Sequence, residues 1–344
     1  MREINTVVCG CGKVGRAFLR LLAERKTVLA DRYGIFVRCV AVIDIDGAVV
    51  SGADPLDPGA VLDYVEQGGR VEHFPGSGIG SYGVSEACKR FEPGVIVECT
   101  PTDLKTGEPG MSHFLTALNN GWDIVTANKG PLVLDLPGLK QLAQSKNSNL
   151  RYSGATAAAL PTLDVGSLSL AGSTILVIEG ILNGTSNYIL TGMAETGESY
   201  TSVLRKAQEL GIAETDPALD VGGWDTAVKL LLLANSLLDA QFTLSDISVT
   251  GIAGVLPEDI HRAYDAGKAL KLLGIVDARN GPVRLSVGPA ELGKDHPLYA
   301  VNGAEKGVTF TTDTLGRITV TGGKSNPVGA AAALLKDLIN LYRS

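Results

Sequence analysis

The sequence predicts an α/β protein: a domain built on a parallel sheet, followed by an α+β domain whose sheet is mostly antiparallel. Three observations carry that expectation. Short apolar runs alternate with helical stretches up to residue 152, the pattern of βαβ units. A Gly-x-Gly-x-x-Gly motif separates the first run from the first helix. Beyond residue 155 the alternation ends, and helices are followed by closely spaced β runs. A length of 344 residues suits two domains, at roughly 100–200 residues each. The expected division is 1–154, rejoined by 322–344, and 155–321.

Residues 4–9 (INTVVC) read as a short buried strand. The helix after the glycines places Val14, Phe18, Leu21 and Leu22 on one face. A second strand, 35–43, ends at Asp44. The stretch 46–80 is rich in Gly, Pro and Asp with weak periodicity, and reads as an elaborated connection with one short helix near 59–67. Strand 95–99, helix 112–120, strand 123–126, helix 137–146 and strand 149–152 complete the first domain. The second opens with a small-residue helix, 157–170, and strand 175–182, then helices near 199–210 and 223–239. Strands follow at 246–252, 271–278, 283–288, 306–312 and 316–321, with a helix at 258–267. The last helix, 327–341, is expected to return to the first domain.

Composition narrows the function. Apolar residues at 45% and charged residues at 19% suit a folded core rather than a disordered chain. The net charge is −7, and no Lys/Arg cluster could follow a phosphate backbone, so nucleic acid is not an expected partner. An anionic cofactor must therefore be attracted locally, by backbone N–H groups and a few lysines. The cysteines are Cys9, Cys11, Cys39, Cys88 and Cys99. Cys9 and Cys11 are separated by one residue and no second Cys/His pair follows, so a zinc site is not expected. Buried free thiols suit a reducing cytoplasm. No signal-peptide pattern is present, and apolar runs such as 230–234 are too short for a bilayer. No membrane association is expected.

Gly10-Cys11-Gly12-Lys13-Val14-Gly15 follows a strand and opens a helix. The first glycine permits the tight turn, the second lets backbone approach a pyrophosphate, and the third lets helix pack on strand. The helix N-terminus adds N–H donors and the positive end of its dipole. This is a Rossmann-type dinucleotide site for NAD or NADP, against the plainer reading of a Gly-rich turn. Asp44, at the end of the second strand, can bond ribose hydroxyls and repels a 2′-phosphate, which favours NAD. Its spacing from the glycines is long because residues 23–34 extend the first crossover. Asp46 is the alternative acid, and no arginine immediately follows Asp44.

The densest polar pattern is 207–229: Ala207, Gly211, Glu214, Asp216-Pro217, Asp220, Gly222, Asp225 and Lys229. Asp225 and Lys229 are four apart on a helix and share a face. Such pairs are usually solvated surface contacts worth a few tenths of a kcal/mol. Here a Gly/Pro/Asp-rich loop precedes the pair and an apolar run follows it, which argues for a cleft.

This stretch resembles the signature of homoserine dehydrogenases: A-x-x-x-G, an acidic-Pro step, then D-x-x-G-x-D-x-x-x-K. Thr126-Ala127-Asn128-Lys129-Gly130-Pro131 resembles the family's TANKGP turn, and Asn183-Gly184-Thr185-Ser186-Asn187-Tyr188-Ile189-Leu190 its NGTxNYIL segment. Glu98-Cys99-Thr100 and Glu108-Pro109-Gly110 resemble its third Rossmann strand and the loop after it. The resemblance runs from the N-terminus to the last helix. It implies NAD(P)-dependent interconversion of L-aspartate 4-semialdehyde and L-homoserine, in threonine and methionine biosynthesis.

The resemblance also implies roles. Lys229 matches the catalytic lysine, which donates a proton to the emerging alkoxide or accepts one in reverse; its proton affinity must be tuned by burial and by Asp225. Glu214 and Asp225 match the acids that hold the substrate ammonium, and Asp220 is a further expected substrate-binding residue. Lys129 binds the substrate carboxylate, the cofactor or the moving proton. Thr100 lies at a strand's carboxyl end, where such sheets bind cofactor. Thr185 and Asn187 contact substrate or only brace the site as turn and capping residues. The four histidines (His73, His113, His261, His296) fall outside the motifs and read as surface or structural groups. A homodimer formed through the second domain is implied, and the chain has no room for a fused aspartate kinase or an amino-acid-binding regulatory domain.

Two segments depart from the family. Residues 152–161, YSGATAAALP, stand where it has YEATVGGGIP, so Ser153 replaces a glutamate and Thr156 a valine. There the family binds a sodium ion on backbone carbonyls, here those of Thr156, Ala158 and Leu160. Gly322-Gly323-Lys324-Ser325-Asn326-Pro327 replaces a GPGAG-like turn that lays backbone against the cofactor, with Gly323 the expected contact. Two other functions fit the same features. A related dehydrogenase of another small amino or hydroxy acid would reduce NAD(P) with another alcohol but not with homoserine. A non-catalytic dinucleotide sensor would not need the retained Glu214, Asp225 and Lys229.

Overall fold

The computed structural model describes residues 1–323 and 326–343. The chain forms two compact units, Met1–Ala155 with Asn326–Ser344, and Thr156–Ser325.

The first unit is a seven-stranded sheet ordered β4-β3-β2-β1-β5-β6-β7. Its strands are β1 (Arg2–Cys9), β2 (Ile35–Asp44), β3 (Gly47–Val50), β4 (Gly78–Gly80), β5 (Val95–Glu98), β6 (Asp123–Thr126) and β7 (Leu150–Arg151). β1, β2, β5, β6 and β7 are parallel. β1 lies between β2 and β5, and Val7, Val8 and Cys9 on it are fully buried, as a strand covered on both faces requires. The helix Lys13–Tyr33 begins at the glycine turn and stops at Gly34, in the left-handed conformation with φ 64°. The helix Pro327–Tyr342 packs against it, burying Ala331, Leu334 and Leu338 in the same core as Phe18, Leu19 and Leu22.

The stretch 46–80 is more ordered than its composition suggests. It holds β3 and β4, which extend the sheet antiparallel to β2, as well as the expected short helix, Pro58–Glu66. Residues Val84–Arg90 form a further helix. The helix expected at 137–146 starts earlier, at Gly130, and runs to Ser145 with a break at Asp135. Asp135 is two residues before Pro137, whose ring disfavours helical backbone ahead of it.

The second unit is a six-stranded sheet ordered β13-β12-β8-β10-β11-β9. Its strands are β8 (Ile175–Ile181), β9 (Ile247–Val249), β10 (Lys268–Asp277), β11 (Arg284–Gly293), β12 (Lys306–Thr312) and β13 (Arg317–Gly322). Every pairing is antiparallel except that of β9 with β11. The helix Trp224–Leu237 buries Leu230, Leu231, Leu232 and Leu233 completely, so it is apolar on all sides between Lys229 and Asn235. The small-residue helix expected at 157–170 is broken. Helix Ser153–Ala157 stops before Ala158, which has φ 52°. Pro161 precedes a second short turn, Thr162–Asp164, that continues into a π-turn at Val165–Ser169. The NGTSNYIL segment opens a full helix, Gly184–Thr196, that periodicity did not reveal.

Candidate active site

The acidic stretch folds around one depression of about 330 Å³ in the second unit, lined by Asn183, Thr185, Glu214, Asp220, Asp225 and Lys229 among others. Asp225 lies in the first turn of the helix Trp224–Leu237 and Lys229 one turn later. Lys229 Nζ donates to Asp225 Oδ2 at 2.6 Å and to the Leu182 carbonyl at 2.8 Å. Their side chains are 13% and 15% exposed, so this is not the solvated pair that i,i+4 spacing usually gives. The helix starts at Gly223, with φ 84°, a backbone that favours glycine.

Asn183 joins the two inner carboxylates. Its Nδ2 donates to Asp220 Oδ1 at 2.7 Å and to Asp225 Oδ2 at 2.8 Å. Its Oδ1 accepts from Ser186 N at 2.9 Å, capping the helix Gly184–Thr196. Burial, and then the charge of Asp225, push the Asp220 carboxyl above its ordinary value. Two inner acids therefore face one lysine, with Glu214 and Asp216 also lining the depression. That excess of negative charge suits a small molecule carrying an ammonium group. Thr185 donates to the Ile212 carbonyl at 3.1 Å and lines the depression.

Asn187 does not line it. Its buried amide donates to the carbonyls of Val301 and Glu305, each at 3.1 Å, and its oxygen faces Lys271 Nζ at 3.4 Å. Of the two readings of Asn187, these contacts favour the bracing one: its hydrogen bonds join the helix to the turn before β12. Lys271 itself, 2% exposed, escaped sequence reading. So did Lys306, 1% exposed, on the first residue of β12. Both stand in strands, where alternation marked their neighbours as core but said nothing of a buried ammonium.

Part of the expected cation loop bonds within the protein. The Leu160 carbonyl accepts Thr162 N at 2.8 Å, the Thr156 hydroxyl bonds the Thr162 hydroxyl at 2.9 Å, and the Ala157 carbonyl accepts Lys306 Nζ at 2.6 Å. Ser153, in the glutamate position, is held by Asp337, with its hydroxyl 2.8 Å from the carboxylate. Gly323 has φ 73°, and a Cβ there would come within 2.9 Å of Leu160 N. Lys324 and Ser325 lie outside the described residues.

In the first unit the glycine turn has the shape of a phosphate cradle. Gly10 has φ 90°, and a Cβ there would meet Cys99 and Thr100 backbone at 2.9 Å. A Cβ on Gly15 would come within 1.9 Å of the Gly10 carbonyl oxygen. A Cβ on Gly12 would touch nothing within 4 Å, so the surface there is open to a ligand. Lys13 and Val14 open the helix after Gly12, where the first N–H groups of a helix have no intrahelical partner.

Asp44 ends β2 and accepts the Ile45 N–H at 3.0 Å. It lines a depression of about 270 Å³ with Arg16, Asp46, Gly68, Gly69 and Arg70. Arg70 is ion-paired with Asp46 and, at 2.5 Å, with Glu72. No arginine follows Asp44 in sequence, but Arg16 and Arg70 reach the spot from the first helix and from the 46–80 connection. Thr100 and Lys129 follow the carboxyl ends of β5 and β6. Lys129 is half-buried, and its N–H donates to Thr102 Oγ1 at 3.2 Å.

Comparisons with known proteins agree with this layout. Residues 161–339 match the family model described as homoserine dehydrogenase, and residues 10–153 the one described as homoserine dehydrogenase, NAD binding domain. A homoserine dehydrogenase from Methanocaldococcus jannaschii is 36% identical over 99% of both chains. An NAD(+)-dependent homoserine dehydrogenase from Pseudomonas canavaninivorans is 36% identical over 100% of this chain and 97% of its own. A homoserine dehydrogenase structure from Thiobacillus denitrificans, 27% identical, superposes with a TM-score of 0.85 over 100% of this chain and 74% of that one.

Proposed function

The chain belongs to the homoserine dehydrogenase family, the NAD(P)-dependent oxidoreductases that interconvert L-aspartate 4-semialdehyde and L-homoserine in amino-acid biosynthesis, and on that premise we propose how its residues divide the reaction. Bound dinucleotide supplies or accepts the hydride at the substrate's alcohol carbon. Gly10, Gly12, Lys13, Val14 and Gly15 hold its pyrophosphate, and Gly323, Thr100 and Lys129 contact it further along. Lys129 retains three assignments: cofactor, substrate carboxylate or moving proton. Glu214, Asp220 and Asp225 hold the substrate ammonium, and Thr185 completes their wall. Lys229 Nζ gives its proton to the alkoxide oxygen in reduction and takes the hydroxyl proton in oxidation. Asp225 orients it through their 2.6 Å contact.

The observation that carries this reading is the half-enclosed Lys229–Asp225 contact at 2.6 Å within the acid-lined depression. A solvated surface pair has no need of Asn183 and the Leu182 carbonyl as further partners.

NAD is the favoured dinucleotide. Asp44 repels a 2′-phosphate, and the nearby positive charge of Arg70 is taken up by Asp46 and Glu72. The name of the Pseudomonas relative points the same way. Sodium receives no role in this reading: Ser153 replaces the family's carboxylate and is held by Asp337, and the Lys306 amine already bonds a carbonyl of the loop. The reading includes a homodimer, as the family resemblance implies. It also includes a cytoplasmic location, which the five free cysteines support. Among the described residues no helix is long and apolar enough to cross a membrane.

The test is steady-state oxidation of L-homoserine by the purified protein with NAD and with NADP, beside a panel of other amino alcohols. Turnover of homoserine with higher kcat/KM for NAD is expected. Turnover of another alcohol in its place would assign a related dehydrogenase, and cofactor binding without any turnover would assign a sensor.

A further inference from the structure

Glu98, the last residue of β5, is a fully buried carboxylate. Its Oε2 lies 2.6 Å from His113 Nδ1, on the helix Gly110–Asn119. Its Oε1 accepts the Thr100 N–H at 2.7 Å and also the Thr100 hydroxyl. That hydroxyl in turn accepts from Asn128 Nδ2 at 3.2 Å, and the same amide reaches the Pro101 carbonyl at 3.2 Å. Asn128 Oδ1 accepts the Gly130 N–H at 3.0 Å, which closes the turn around Lys129. One chain of hydrogen bonds thus runs from His113 through Glu98, Thr100 and Asn128 to both segments that carry the expected nicotinamide-side contacts.

A carboxylate removed from water is costly unless a cation and donors replace the lost hydration. Here the His113 ring nitrogen and the N–H and hydroxyl of Thr100 are those partners. Without the His113 ring, one oxygen of a buried carboxylate is left with no partner, and the placement of the other against Thr100 is no longer held. Cys9 Sγ lies within 4.8 Å of both partners, a grouping that could suggest a metal. Burial, and then the charge of Glu98, push that thiol well above its ordinary pKa, so it keeps its proton and makes a poor ligand.

We propose that Glu98 and His113 are a positioning pair that fixes the Thr100 hydroxyl and, through Asn128, the Lys129 turn for the nicotinamide half of the dinucleotide. The proposal rests on the assignment of Thr100 and Lys129 to the cofactor. It takes His113 out of the class of surface or structural histidines in which its place in the sequence put it.

The test compares NADH with ADP-ribose, which lacks the nicotinamide, as ligands of the full-length protein and its His113→Ala and Glu98→Gln variants. In both variants NADH affinity is expected to fall about tenfold, the equivalent of one lost charge-assisted hydrogen bond. ADP-ribose affinity should stay within about twofold, because the glycine turn is untouched. Imidazole in the buffer should restore NADH binding to His113→Ala and not to Glu98→Gln. If His113→Ala does not fold, His113→Gln, which puts an amide in place of the imidazole, is read by the same affinity ratio. Equal losses for both ligands, or no loss for either, would overturn the proposal. Neither ligand involves homoserine, so failure of the unmodified protein to oxidise homoserine would sink the reaction assignment alone.

Discussion

The ammonium of Lys306 lies 2.6 Å from the carbonyl oxygen of Ala157 and is almost wholly enclosed. Gly307 pairs with Ile181 across β12 and β8, so the same register sets Lys306 opposite Leu182, whose carbonyl accepts Lys229. Burial first, then the charge of Lys229, draw the Lys306 pKa down to about 7 from 10.5. The folded chain therefore releases this proton before the unfolded chain does. Below about pH 7 both states are charged and the folded state bears the full desolvation cost; as pH rises toward the ordinary lysine value, stability rises. Lys306→Met should flatten the dependence of Tm on pH between about 7 and 10. Parallel curves for parent and variant would contradict the enclosed placement.

Removing the candidate acid should affect chemistry far more than cofactor binding. Lys229→Ala is expected to lower kcat by ~10²-fold or more, with NADH affinity nearly unchanged. Steady-state kinetics beside fluorescence titration measure the two. An unaltered kcat would remove Lys229 from the proton transfer.

Asn183 has two separable roles, as helix cap and as the donor shared by Asp220 and Asp225. Asn183→Ala loses both and should cost about 1 kcal/mol of stability through the cap and raise the KM for homoserine about tenfold. Asn183→Asp keeps a good cap but replaces the shared donor with a third carboxylate. Its Tm should stay nearer the parent while its KM rises further. A Tm loss equal to that of the alanine variant would refute the capping role.

The glycine turn distinguishes packing from ligand approach. Gly15→Ala would drive a methyl to 1.9 Å from the Gly10 carbonyl oxygen, and overpacking of this kind costs about 1–3 kcal/mol. Gly12→Ala meets no protein atom within 4 Å, so Tm should hold while dinucleotide affinity falls about tenfold. Thermal melts and NADH titration of both variants check this, and the reverse ordering of Tm losses would be inconsistent with the turn described.

The sequence by itself determined the alternating first unit, the glycine cradle and the acid-and-lysine stretch, because each is local. A strand–turn–helix needs only its own apolar run and glycines, and residues four apart share a helix face wherever the helix lies. Composition hid β3 and β4, since short Gly-containing strands become strands only when a neighbour supplies their hydrogen bonds. What tertiary structure alone decided were the long-range partners. Asn183 reaches Asp220 and Asp225 across about 40 residues of chain, Arg70 arrives beside Asp44, and His113 meets Glu98. The same is true of Lys271 and Lys306, whose buried charges follow from which carbonyls face them. A polar side chain's role depends on the donors, acceptors and water around it, and those are set by packing between segments distant in the chain.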